Sequence, residues 1–510
     1  MRVVVAIFAL VILATACGDE PAPIPTAVPL PTSTPQPTPT PQPTHTPAPT
    51  ATPEPTPTPR PTSTPAPTPT FAPAPVILPT VEVVVEIPTP AAAFPPDLDR
   101  KLDAVSLQSA AIRGLTNRGS FERRLVSTDE LRQKLEDNLA ENADDIEVAD
   151  RLYSLLGIIE PGSSLEDVLL DVYSNIVVGL FDTEENVLFV VADADEFTLS
   201  NELTVSHEVT HALQQQHFNI RDIREPYEGN SDRVRAITAL IEGDASLVEL
   251  IYRLRVFNDA QRESHMQEAQ SADLSAYRAA PPFIQRTVAF PYFEGANFAI
   301  YLFQQYGDFT AIDAAYDALP ESTEQILHPE RLGLDSPIEV TIPDLVAVLG
   351  DGWSEVDRDV MGELFAAALL EGALAPDVAA TAAAGWGGDT FLLMEDPSGD
   401  EVIASVSVWD SVEDAAEFSS AVMEYFQSLT GAEEWTVQES MYGEVANRIA
   451  VEDAVVVDVR SKEDTVWLAV GNNPDSVDAV VTATLEDTVG ADAVGQDEAA
   501  TSTTATTTSP

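Results

Sequence analysis

The sequence predicts an α+β protein. A mainly helical region carries one small sheet, placed just before a helix that contains "HEVTH", and a smaller α+β unit follows it. Three observations carry this reading. Apolar residues recur at helical spacing through 98–175 and again through 231–257. "VVGLFDTEENVLFVV" (177–191) sets two β-branched or aromatic runs around a D-T-E-E-N turn, a hairpin signal. Beyond about residue 380, strand-like runs such as "EVIASVSVWD" alternate with two helical stretches.

The first sixteen residues, "MRVVVAIFALVILATA", hold one Arg and then an apolar run too short to span a bilayer, which fits an export signal over 1–16. Cys17 is the only cysteine, so the chain forms no internal disulfide. "LATAC" resembles a bacterial lipoprotein cleavage box, with Ala14 where Leu is usual. That resemblance implies lipidation of Cys17 and a membrane partner through this anchor. The chain is then expected on the outer face of the cell membrane, or otherwise outside the cell. Residues 17–97 read as a Pro/Thr-rich stalk, since twenty-seven of the forty prolines lie between 21 and 96. Such a segment favours extended polyproline II, reaching roughly 200 Å at about 3.1 Å per residue. "VILPTVEVVVEI" (76–87) interrupts it and could dock as a strand, and 491–510 reads as a disordered polar tail.

The net charge is −59, from 84 acidic and 25 basic residues, with Lys only at 101, 134 and 462. This disfavours nucleic acid, which requires the opposite sign.

Two folded regions are expected, 98–375 and 380–490. "STDELRQKLEDNL" opens with a capping box between Ser127 and Glu130, and "SFERRLVS" before it reads as a strand. The helix bearing "HEVTH" starts near Asn201, with Thr198 or Ser200 as N-cap, and runs to about His217. A longer helix covers 231–257. The C-terminal unit is expected to approach a ferredoxin-like sandwich.

His207 and His211 are one turn apart on a helix, so both imidazoles leave the same face and can share one zinc ion (Zn2+). Glu208, beside the first, is placed to act as general base on a water held there. Glu242 lies in the apolar stripe "ALIEGDASLVE", where an unpaired carboxylate is costly and a cation removes the cost. Gly243, Ala245 and Ser246 would let its helix lie close to the first. His217 is the rival third ligand, but Gln214 stands where a helix-breaking Gly would be needed to turn it back. A continuing helix carries His217 away from the metal. His265 is expected to face solvent, and Asp244 either to face solvent or to bond a ligand histidine from behind.

"HEVTH" followed by the E-G-x-A of Glu242 resembles the gluzincin group of zinc metallopeptidases. "HEVTHALQQQHF" and "STEQILHP" (322–329) are also similar to segments of uncharacterised bacterial and haloarchaeal surface proteins. The latter resemblance covers about residues 100–335 and implies a zincin-like fold but no substrate, whereas the resemblance to the gluzincins implies a peptide or protein substrate. It also implies a donor for the oxyanion, for which Tyr292 and His328 are the candidates. A non-catalytic scaffold on the same core is the alternative.

Overall fold

The structure, a computed structural model, describes residues 96–176, 179–191, 197–451 and 455–503. The expected export signal, Cys17, the stalk up to residue 95 and the stretch at 76–87 lie outside them. In chain order, α1 (Pro96–Arg113), β1 (Glu122–Val126), α2 (Thr128–Glu141), α3 (Ala143–Leu155) and α4 (Leu165–Ile176) precede the hairpin of β2 (Gly179–Asp182) and β3 (Val187–Val191). Next come α5 (Leu199–Phe218), α6 (Ser231–Arg255), α7 (Asp259–Gln270), α8 (Ser275–Ala279), α9 (Pro282–Tyr306), α10 (Thr310–Asp317), α11 (Glu324–Leu327) and α12 (Leu345–Leu349). The C-terminal part comprises β4 (Ser354–Asp359), α13 (Gly362–Leu370), α14 (Pro376–Ala383), β5 (Trp386–Glu395), β6 (Glu401–Trp409) and α15 (Val412–Thr430). β7 (Thr436–Val437), β8 (Val445–Val451), β9 (Val455–Lys462), β10 (Thr465–Gly471) and α16 (Pro474–Thr503) complete it. The protein is α+β, and helices predominate. Among the described residues no helix is long and apolar enough to cross a membrane.

The small sheet has the order β1-β3-β2, with β1 parallel and β2 antiparallel to β3. Asn186, in the left-handed region at φ 55°, closes the hairpin. Side chains alternate across it, as strand geometry requires. Phe181, Leu188 and Val190 pack toward α1 and α5, while Leu180, Val187 and Phe189 join the core built by α2, α3 and α4. The sheet is thus covered on both sides, with α5 lying along β2.

α5 begins at a capping box in which Thr198 and Asn201 exchange side-chain and backbone bonds, and it ends at Asn219 in a left-handed conformation, φ 53°. α6 crosses α9 at two glycines. A Cβ on Gly243 would stand 2.0 Å from the Gly295 carbonyl oxygen, and one on Gly295 would stand 2.3 Å from that of Ala239. Gly243 therefore serves contact with α9, while α6 also packs on α5. α9 also runs through Pro291, making one helix of the "FPYFEGANF" region.

The C-terminal sheet departs from the expected sandwich. It has seven antiparallel strands in the order β4-β5-β6-β10-β9-β8-β7, and β4 precedes the change of texture near residue 380. Phe391, Leu393, Ile403 and Val457 face the helical core, whereas Leu392, Met394, Val402 and Val456 pack beneath α16. Both faces are buried, unlike a two-helix, one-sided sandwich. α16 runs on to Thr503, into the stretch expected to be a disordered tail. Its Ala-rich composition there has the propensity to continue the helix.

Candidate metal centre

Burial of α5 on every side brings its polar residues inside. His207 and His211 lie with ring centroids 4.7 Å apart at 79°. From α6, Glu242 reaches between them: its Oε2 is 3.1 Å from His207 Nε2 and 3.3 Å from His211 Nε2. Glu208 accepts a 2.6 Å hydrogen bond at Oε2 from the Phe181 N–H of β2, which leaves Oε1 buried without a partner. None of these four residues is more than 2% exposed.

A ring of polar side chains holds them. Glu249, two turns beyond Glu242 on α6, places Oε2 3.5 Å from His207 Nδ1. Gln214, on the same face of α5 as His211, places Oε1 2.8 Å from His211 Nδ1. The Gln214 amide donates to the Ile241 carbonyl at 2.9 Å and to Asp244 Oδ2 at 3.0 Å. Asp244 also accepts from the Tyr316 hydroxyl at 3.2 Å and meets Arg113 Nε at 2.7 Å. Of the two expectations for Asp244, solvent exposure is overturned, since it is fully buried, and it reaches the ligand His211 only through Gln214. The sequence reading missed Gln214, Glu249, Arg113 and Tyr316 as parts of this site. For Gln214 and Glu249, helical spacing from His211 and Glu242 was the available signal.

The centre demands positive charge. Burial pulls the His207 pKa down, but hydrogen bonds to Glu242 and Glu249 outweigh it and hold the imidazole up at about 10. Burial likewise pushes Glu242 up, yet the two histidines prevail and bring it down to about 2. Glu208 is raised, chiefly by burial. His211 Nε2 and Glu242 Oε1 are both buried without a hydrogen-bond partner. Imidazole nitrogens and carboxylate oxygens converge within ion-pair distance, and polar atoms left unpaired are costly in such a place. His207, Glu208 and His211 form a group that could hold a metal ion, with ligand atoms within 4.8 Å of one another. This donor set, together with Glu242, fits a divalent cation of the type that prefers imidazole and carboxylate.

Of the other candidates, Tyr292 on α9 sits at the centre, its ring centroid 6.2 Å from that of His207. His328 lies in a different cluster, where Nε2 is 2.9 Å from Glu363 Oε1 and that hydrogen bond raises its pKa. A second acidic group nearby, Glu324, Asp335 and Asp410, is already filled by Arg331, whose Nη1 lies 2.5, 3.0 and 2.8 Å from the three. His217 bonds the Thr116 carbonyl at 2.8 Å, outside the centre. His265, expected to be exposed, is buried against Phe257. The α7 helix carrying it packs against α5, and the polar composition of "RESHMQEAQS" conceals that inward face.

Comparison with known proteins bears on the C-terminal part. A family profile described as a domain of unknown function (DUF8575) matches residues 348–481, the region of the seven-stranded sheet. No curated protein and no solved structure matches the chain.

Proposed function

We propose that this protein is a zinc-dependent peptidase of the gluzincin type, with His207, His211 and Glu242 as metal ligands and Glu208 as general base. The observation that carries the reading is the meeting of two imidazole nitrogens and a carboxylate oxygen beside a buried Glu208 Oε1 that has no partner. When bound, zinc supplies Lewis acidity toward water and toward a substrate carbonyl. The chain's own residues supply the rest. The Phe181 N–H pins Glu208 Oε2, so Oε1 is the atom free to take a proton from water and return it to a leaving amine. Raised by burial, Glu208 is the stronger base for that task. Tyr292 stands beside His207 as a candidate donor to the developing oxyanion. His328, held by Glu363, has no part in this reading.

The "LATAC" sequence supports export and anchoring of the chain at the cell surface through Cys17. A Cys17→Ser variant is expected in the soluble fraction of the culture, and its retention on the membrane would overturn the anchor.

The burial of all four side chains favours a second reading, a binding or scaffold protein that holds metal without turnover. Glu208→Gln separates the two. In the peptidase, cleavage of a mixed peptide library disappears while zinc binding persists. Equal behaviour of the parent and variant chains, with no cleavage by either, selects the scaffold.

A further inference from the structure

We propose that Gln214 is the positioning residue that fixes His211 as its Nδ1–H tautomer and so aims the bare Nε2 at the metal position. The inference rests on the metal reading above. An amide's oxygen and nitrogen ends are decided by their neighbours. One end of Gln214 faces two oxygens, the Ile241 carbonyl at 2.9 Å and Asp244 Oδ2 at 3.0 Å. A carbonyl can only accept, and Asp244 faces the Arg113 guanidinium at 2.7 Å and the Tyr316 hydroxyl at 3.2 Å, so it accepts as well. This end must therefore be the NH2 group, with both hydrogens committed. The other end is the oxygen, 2.8 Å from His211 Nδ1. An oxygen acceptor there places the ring proton on Nδ1 and leaves the lone pair on Nε2.

The chain runs from Arg113 by an ion pair to Asp244 and then by hydrogen bonds through Gln214 to His211, and every member is buried. It ties three elements together, because Arg113 ends α1, Gln214 belongs to α5 and Asp244 to α6. Since Gln214 also holds the carbonyl of Ile241, it fixes the backbone next to Glu242. One neutral side chain thus sets the direction of a nitrogen ligand and the seat of the oxygen ligand. Gln214 touches no reacting atom, and its role is exercised through His211.

The test uses the full chain, metal-free, with 15N-labelled histidine, at a pH where the His211 ring carries a single proton. The ring nitrogens of His211 are expected to report a single Nδ1–H tautomer in the parent chain. They should report a mixture in Gln214→Met, which keeps the volume but offers no oxygen. Zinc affinity, measured by competition with a chelator, should fall roughly ten- to a hundredfold in Gln214→Met. Should that variant fail to fold, Gln214→Ala serves instead, since it also offers no oxygen to Nδ1 and is small enough to avoid a clash. It is expected to give the same mixed tautomer and a similar loss of affinity. An unchanged tautomer together with unchanged zinc affinity in the folded variants would overturn the proposal. If the parent chain binds no zinc, the metal reading fails, and the tautomer measurement alone then decides the role of Gln214.

Discussion

Arg113→Met tests the polar network behind the metal centre. Arg113 is 1% exposed and meets Asp244, itself fully buried, at 2.7 Å and the half-exposed Asp313 at 2.6 Å. The bond to Asp313 faces solvent and contributes at most about 1 kcal/mol. The bond to Asp244 is different, because removal of one partner from a buried pair leaves an uncompensated charge and costs about 3–5 kcal/mol. After the substitution Asp244 keeps only neutral donors, Gln214 Nε2 and the Tyr316 hydroxyl. Loss of the guanidinium from the Phe309 ring, 4.6 Å away, adds roughly 0.5–1 kcal/mol. The expected total is about 4–7 kcal/mol, read by urea unfolding of the metal-free chain. Asp244→Asn in the same background removes the stranded charge, so the double variant should recover about 2 kcal/mol of that loss. A cost below about 1 kcal/mol for Arg113→Met, or a double-variant cycle with no coupling, would refute the reasoning.

Three further outcomes follow from the same geometry. Burial raises the Asp232 carboxyl from its ordinary 3.8 to about 7. Its favourable contribution is then complete below pH 3.8 and is lost as pH rises to about 7, a swing of roughly 4 kcal/mol that Asp232→Asn should remove from the stability–pH curve. Gly295→Ala places a methyl 2.3 Å from the Ala239 carbonyl and should destabilise by about 3 kcal/mol or abolish folding, whereas Gly229→Ala, with open space around it, should not. Glu249→Gln keeps an acceptor near His207 Nδ1 but removes its charge, and zinc affinity is expected to fall about tenfold, read by chelator competition.

Local signals made much of the centre legible. The spacing of His207 and His211, the Thr198 cap and the hairpin before it are all short-range features. Glu242 was marked by the cost of a carboxylate in an apolar stripe, a burial argument that needs no partner to be known. The supporting network was not legible in the same way. Arg113 lies far from Asp244 in sequence, and helical periodicity does not say which helix packs on which face. Gln214 was read only as a residue that lets the helix continue, although its place one turn from His211 already put both on one face. His328 was read from the display of a residue before proline, a backbone preference that carries no information about Glu363 on α13. The seven-stranded sheet depends on pairings across long separations, such as β6 with β10, which strand patterns in isolation do not specify.

Zinc content of the purified full chain, with and without Glu242→Ala, tests the central claim most directly. One tightly held zinc ion per parent chain is expected, and almost none in the variant, with His217→Ala unchanged from the parent. Full zinc retention after Glu242→Ala, or its loss with His217→Ala, would contradict it.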